Sequence, residues 1–200
     1  VYTPIHGSGN LLVRSILKEI GVNNLFVVPE QEQPDGNFPT VKSPNPENSE
    51  AFDIAVRYAK EQNADLIFGT DPDSDRIGVV VKTSGGDYKV LNGNQTGSIL
   101  CEYILRKAKE NEKLPQNAAI IKTIVTTEMA RAIADSFGVY TEDVLTGFKF
   151  IGEKIKEYEQ SGSHTYMFGF EESYGCLKGT YARDKDAVVG AMAITEAAAD

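Results

Sequence analysis

The chain has little that would take it to nucleic acid or into a bilayer. Its 20 Lys and Arg stand against 29 Asp and Glu among 200 residues, a formal net charge of −9. With a pI near 4.8, it lacks the basic patch that neutralises a phosphate backbone, which argues against nucleic acid as the main partner. No apolar run approaches the roughly 20 residues that a membrane-spanning helix needs, and no secretory signal peptide is visible. Cysteine is scarce. Cys101 and Cys176 lie far apart without metal or redox spacing, and read as reduced thiols of a cytoplasmic protein rather than a disulfide. The chain also lacks an initiator Met, opens inside a strand-like run and closes inside a helix-like one, so a piece of a longer protein is expected. What remains, 41% apolar and 24% charged residues, suits a globular chain long enough for one large or two small domains.

The stretch around which the rest is organised is Leu66-Ile-Phe-Gly-Thr-Asp71-Pro-Asp73-Ser-Asp75-Arg76-Ile-Gly-Val-Val-Val81. Two short, continuous apolar runs rich in β-branched residues read as buried strands. Between them three carboxylates alternate, and an arginine follows. Like charges on one tight loop repel, and a folded protein tolerates them when a cation neutralises them. All-oxygen ligation by Asp71, Asp73 and Asp75 points to a hard cation, Mg²⁺ first and then Mn²⁺ or Ca²⁺. A divalent ion beside Arg76 suits a phosphate, which both would contact. An EF-hand would need Gly at the sixth loop position and Glu at the twelfth, where Arg76 and Lys82 stand. A haloacid-dehalogenase-type phosphatase, with Asp71 as nucleophile, and a merely solvated acidic turn are the other readings. Asp75 stands where the phosphatase pattern has Thr or Val.

Taken in order, Val1–Ile5 reads as a strand and His6–Asn10 as a turn, with Asn10 able to cap a helix that stops at Gly21. Small residues at such a turn can offer amides to an anion, while His6 reads as a structural histidine. Leu25–Val28 reads as a strand and Pro29–Pro46 as a long loop. A helix through Phe52, Ala55, Val56 and Ala59 precedes the acidic stretch, and a hairpin at Ser84–Asp87 leads into Tyr88–Leu91. Asn92–Asn94 reads as a domain boundary. After it helices over 95–109, 127–137, 149–160 and 186–200 alternate with strands over 118–125, 139–145 and 165–170. The expected fold is α/β, two consecutive α/β/α layered domains with mixed sheets, over residues 1–93 and 94–200.

A second polar constellation follows the strand at 165–170. Gly169-Phe-Glu171-Glu172-Ser173-Tyr-Gly175 is followed by Tyr181-Ala-Arg183-Asp184-Lys185-Asp186. Loops at the carboxyl ends of strands are where α/β domains bind ligands. Carboxylate with hydroxyl is suited to sugar hydroxyls, and Arg183 and Lys185 to a phosphate or a proton.

These two stretches, with Thr3-Pro-Ile-His-Gly7, Pro44-Asn-Pro-Glu47 and Thr146-Gly-Phe-Lys149, resemble the α-D-phosphohexomutases in the family's own order. The Glu-Glu-Ser-Tyr-Gly form looks more like a phosphoglucomutase or phosphopentomutase than a phosphomannomutase. The resemblance implies an isomerase of hexose phosphates that moves phosphate between the 1- and 6-hydroxyls through a phosphoserine and a bisphosphorylated sugar. It implies Mg²⁺ on Asp71, Asp73 and Asp75, with Arg76 against the phosphoserine. Glu171 and Ser173 would hold sugar hydroxyls, Gly147 and Lys149 would face the sugar, and Lys185 with Arg183 would touch substrate or assist proton transfer. Two family motifs are missing: the serine loop of the first domain and the phosphate loop of the fourth. The resemblance is therefore to the second and third domains, with the first and fourth as the implied partners. A stand-alone module that binds sugar phosphates without catalysis is the competing class.

Overall fold

Strands that are apolar on both faces need a layer of helices on each side, and the computed structural model, which describes residues 1–200, has that arrangement twice. The elements run β1 (Tyr2–Thr3), α1 (Asn10–Glu19), α2 (Pro29–Glu32), α3 (Asp53–Gln62), β2 (Leu66–Thr70), β3 (Ile77–Lys82) and β4 (Tyr88–Leu91). They continue with α4 (Gly93–Glu110), β5 (Ala118–Thr123), α5 (Met129–Ser136), β6 (Tyr140–Val144), α6 (Phe148–Ser161), β7 (Thr165–Phe170), β8 (Cys176–Lys178) and α7 (Ala187–Ala199). Two compact units result, residues 1–92 with 187–200, and residues 93–186.

In the first unit the sheet order is β1-β2-β3-β4, parallel at β1/β2 and antiparallel elsewhere. Strand alternation sends Ile67 and Val80 to one face, where Phe52, Ala55 and Ala59 of the α3 region close a buried core with Val1 and Val28. Phe68 faces the other side and borders a cavity of about 520 Å³ with Leu17 of α1 and Thr195 of α7. Chain order assigns residues 187–200 to the second domain, yet α7 packs on α1, β2 and β3. Its sequence, Ala-Val-Val-Gly-Ala-Met-Ala-Ile, is apolar around the whole helix and needs cover on several sides.

Several local expectations change. Leu25–Val28 forms only a single bridge, Val27 to Tyr2, because the two-residue β1 offers little edge to pair with. The long loop opens with the one-turn α2, whose Pro29 sits where a missing N–H costs nothing. Gly9 rather than Asn10 flanks α1, and Asn10 donates its side-chain amide to the Glu32 carbonyl. The amides of Gly7 and Ser8 are engaged by the carbonyls of Pro4 and Pro72, so this turn does not offer them to an anion. His6 is structural: its ring nitrogens meet the Gln33 carbonyl and the Thr40 hydroxyl.

In the second unit the order is β6-β5-β7-β8, with β5 parallel to both neighbours and β8 antiparallel. Ala119, Ile121, Ile151, Ile155, Tyr158, Tyr166 and Leu177 form the core beneath α6. A bulge in β7 lets Ala119 pair with Tyr166 but Ile120 with Phe168. The extra residue reverses the alternation, so that Phe168 and Phe170 stack together on the α4 side, where Gly97 lies against the Phe170 ring. The bulge therefore sets the facing of β7 just before the Glu-Glu-Ser loop. Cys101 and Cys176 are buried free thiols, and burial pushes each up to about 12, which leaves them as inert apolar side chains.

Candidate functional site

The acidic loop joins antiparallel β2 and β3. One ligand atom from each of Asp71, Asp73 and Asp75 lies within 4.8 Å of the others. Asp71 is buried at 1% exposure, Asp75 is half-buried and Asp73 is exposed. Asp71 anchors the loop. Its Oδ1 accepts the amides of Asp75 (3.1 Å) and Arg76 (3.0 Å), and its Oδ2 accepts Arg76 Nε at 2.8 Å. Burial nevertheless pushes its carboxyl above the usual range, against the pull of Arg76. A carboxylate so bound is poorly placed to act as a free nucleophile, which disfavours the phosphatase reading. Ser74 turns the chain at φ 61°, and its amide donates to the Asp71 carbonyl. Arg76 reaches further, to Glu47 Oε1 at 3.0 Å, with Asp75 at 3.7 Å. Glu47 closes the Pro44-Asn-Pro-Glu motif, to which the sequence attached no role.

In the second unit Glu171 is buried and its Oε1 accepts the Gly147 amide at 2.9 Å, which ties together two of the expected substrate segments. Gly147 precedes α6 at φ 121°, a conformation open to glycine alone among ordinary residues. Glu172 turns the other way: its Oε2 accepts the hydroxyls of Thr126 (3.0 Å) and Thr123 (3.2 Å). Ser173 is half-buried in the same loop, and Tyr174 is left-handed at φ 72°. Lys185 runs along Gly175, where an added Cβ would lie 2.0 Å from its Cδ, and its Nζ sits 5.8 Å from the Phe148 ring centroid. Lys149 is exposed, its Nζ over the Phe150 ring. Arg183 is turned onto Glu159 and the carbonyls of Thr180 and Ala182. Thr123, Thr126 and the fully buried Lys122 behind them had no signal in the sequence beyond ordinary strand and turn residues.

Burial raises the Glu171 carboxyl, opposed by the Gly147 amide and Lys185 and reinforced by Glu172 and Asp184. A carboxyl raised in the folded state contributes stability that is complete below its unfolded value and lost as pH rises through its folded value. Glu171→Gln is therefore expected to leave the thermal midpoint unchanged below about pH 4 and to raise it at neutral pH. An equal effect at both pH values would show that burial does not govern this carboxyl.

Comparison with known proteins follows the same division. The family description "phosphoglucomutase/phosphomannomutase, alpha/beta/alpha domain II" matches residues 1–86, and domain III of the same family matches residues 92–200. A phosphoglucomutase of Staphylococcus haemolyticus is 38% identical over 188 residues, covering 94% of this chain and 33% of the relative. One from Staphylococcus saprophyticus is 39% identical over the same length, covering 94% and 34%. The chain thus spans about a third of the length of these curated relatives. Among solved structures, a phosphoglucomutase/phosphomannomutase family protein from Burkholderia thailandensis shares the fold at TM-score 0.73 and 22% identity, over 95% of this chain and 37% of its own. An Aspergillus fumigatus N-acetylphosphoglucosamine mutase, solved with GlcNAc-6P and magnesium, matches at TM-score 0.63 and 13% identity, over 98% and 45%. The chain belongs to the phosphoglucomutase/phosphomannomutase family and carries its second and third α/β/α domains.

Proposed function

We propose that this chain supplies the metal-binding and sugar-recognition domains of a hexose phosphate mutase of the phosphoglucomutase type. The observation that carries the reading is the convergence of the Asp71, Asp73 and Asp75 carboxylates within 4.8 Å, with Arg76 bonded to the first of them. Three oxygen donors with no softer atom among them fit a hard cation, and Mg²⁺ is the ion assigned to them. The magnesium in the complex of the Aspergillus neighbour supports that assignment, and the phosphoglucomutase names of the 38–39% identical relatives support the reaction class. When bound, Mg²⁺ offsets charge on a phosphoryl group in transfer. Arg76 offers its guanidinium to the same phosphoryl, oriented by Glu47 and Asp71.

In the second unit Glu171 and Ser173 orient sugar hydroxyls, with Gly147 holding the Glu171 carboxylate. Lys149 faces the sugar with Gly147, Arg183 and Lys185 attract phosphate, and Lys185 is the group assigned to proton movement. The motifs expected of the serine loop and the C-terminal phosphate loop do not occur in these 200 residues. Turnover accordingly requires domains of the kind that carry them, and the chain alone is expected to interconvert no glucose 1-phosphate and glucose 6-phosphate. A chimera with this stretch in place of the homologous one in the Staphylococcus haemolyticus phosphoglucomutase is expected to be active. In that chimera Asp73→Asn should lower kcat by about 100-fold or more, as for the loss of a metal that stabilises transition-state charge. Full activity of the Asp73→Asn chimera, or turnover by the chain alone, would overturn the reading.

A further inference from the structure

Two consecutive residues between β1 and α1 hold left-handed backbone angles, Ile5 at φ 46° and His6 at φ 60°. For a β-branched residue this is strained and persists only where the surroundings over-determine it. They do so here. Ile5 is fully buried and its amide donates to Thr3 Oγ1 at 3.1 Å. The His6 amide donates to the Gln31 carbonyl at 2.9 Å, and its ring is held by the Gln33 carbonyl and Thr40.

The strained pair brings Gly7 against the backbone of the acidic loop. A Cβ on Gly7 would lie 2.6 Å from Pro72 Cα and 2.8 Å from the carbonyl oxygens of Asp71 and Pro72. All three are backbone atoms, so no rotamer change relieves the clash. Ser8 then fastens the contact, with its amide (2.8 Å) and its hydroxyl (3.0 Å) both donating to the Pro72 carbonyl.

Asp71 is fixed by its own hydrogen bonds, whereas Asp73 is exposed and follows directly on Pro72. Three like charges drive such a loop open, and ligation of Mg²⁺ near 2.0–2.1 Å tolerates little displacement. We propose that Gly7 is a positioning residue for the cation site: the glycine turn holds Pro72, and through it Asp73, in register with Asp71 and Asp75. The inference rests on the metal reading given above.

Mn²⁺ titration of the 200-residue chain by electron paramagnetic resonance, with thermal midpoints in EDTA and in Mg²⁺, tests it. Gly7→Ala is expected to raise the Mn²⁺ Kd at least about tenfold and to shrink the Mg²⁺-induced rise, whatever its midpoint in EDTA. Gly36→Ala, where an added Cβ meets nothing within 4 Å, should leave the Kd unchanged. Ser8→Ala removes one of the two bonds to Pro72 without adding volume, and should raise the Kd about threefold. A folded Gly7→Ala protein with the wild-type Kd would overturn the inference. Should that variant fail to fold, a wild-type Kd in Ser8→Ala overturns it equally. Absence of Mn²⁺ uptake by the wild type would overturn the metal reading and this inference together.

Discussion

Millimolar Mg²⁺ is expected to raise the thermal midpoint of this chain by about 10 °C over its value in EDTA, and Asp73→Asn to abolish the rise. Binding to the native state alone stabilises by about 2.7 kcal/mol at one hundred times Kd. For a unit of this size each kcal/mol is worth about 4 °C. Asp73 is the informative position because it is exposed and, unlike Asp71, has no part in the hydrogen bonds that anchor the loop. Without a cation it only adds repulsion, on the order of 1 kcal/mol per pair at such spacing in water-like surroundings. Asp73→Asn should therefore be neutral or slightly stabilising in EDTA and clearly destabilising, relative to wild type, in Mg²⁺. That reversal of sign distinguishes a ligand from a structural residue. Asp71→Asn, by contrast, should lower the midpoint in both buffers: both Asp71 oxygens accept from donors, so the amide nitrogen of Asn would face either Arg76 Nε or the amides of Asp75 and Arg76, whereas Gln at position 171 keeps the one oxygen that the Gly147 amide needs. A wild-type midpoint indifferent to Mg²⁺, with Asp73→Asn more stable in both buffers, would mean that the three carboxylates do not form a cation site in this chain by itself.

The acidic loop was legible because its chemistry is contiguous: three carboxylates and an arginine fall within six residues, between two runs whose burial follows from their composition alone. The alternation of apolar runs likewise disclosed both α/β units. What stayed hidden depends on contacts between distant residues. Glu47 meets Arg76 across 29 positions, and Glu172 meets Thr123 and Thr126 across 49 and 46. No local pattern marks either pairing. β8 has three residues, too few to show a period, and the β7 bulge reverses side-chain facing in a run that reads as an unbroken strand. The apolar all-round pattern of α7 announced burial but carried no information on which sheet would receive it.

Lys122 is the clearest case of a group that only the structure explains, and its removal should destabilise the second unit and loosen one of its loops. The side chain is fully buried at the end of the central strand. Its Nζ meets Glu128 Oε1 at 2.8 Å and Asp143 Oδ1 at 3.0 Å, and donates to the carbonyls of Thr126 (3.1 Å) and Thr123 (3.2 Å). Loss of one partner of a buried ion pair costs about 3–5 kcal/mol when the other charge is stranded. Here both carboxylates are partly exposed and keep Arg131, so they can rehydrate. The Thr123 carbonyl keeps the Thr126 amide, but the Thr126 carbonyl has no such recourse, and a buried acceptor left unpaired costs about 1–3 kcal/mol. Lys122→Met, which keeps the volume and removes the charge, is therefore expected to lower the unfolding free energy of this unit by about 2 kcal/mol in urea. The damage should extend to the Glu-Glu-Ser loop, because the Thr123–Thr126 turn that Lys122 gathers is the one whose hydroxyls hold Glu172. Amide exchange at Glu172 and Ser173 is expected to accelerate more in Lys122→Met than in a variant at least as destabilised elsewhere in the unit, such as Ile155→Ala in the core beneath α6. Equal acceleration in the two would mean that the buried ammonium stabilises the fold without shaping the loop, and would separate the stability of this unit from the geometry of its sugar-recognition segment.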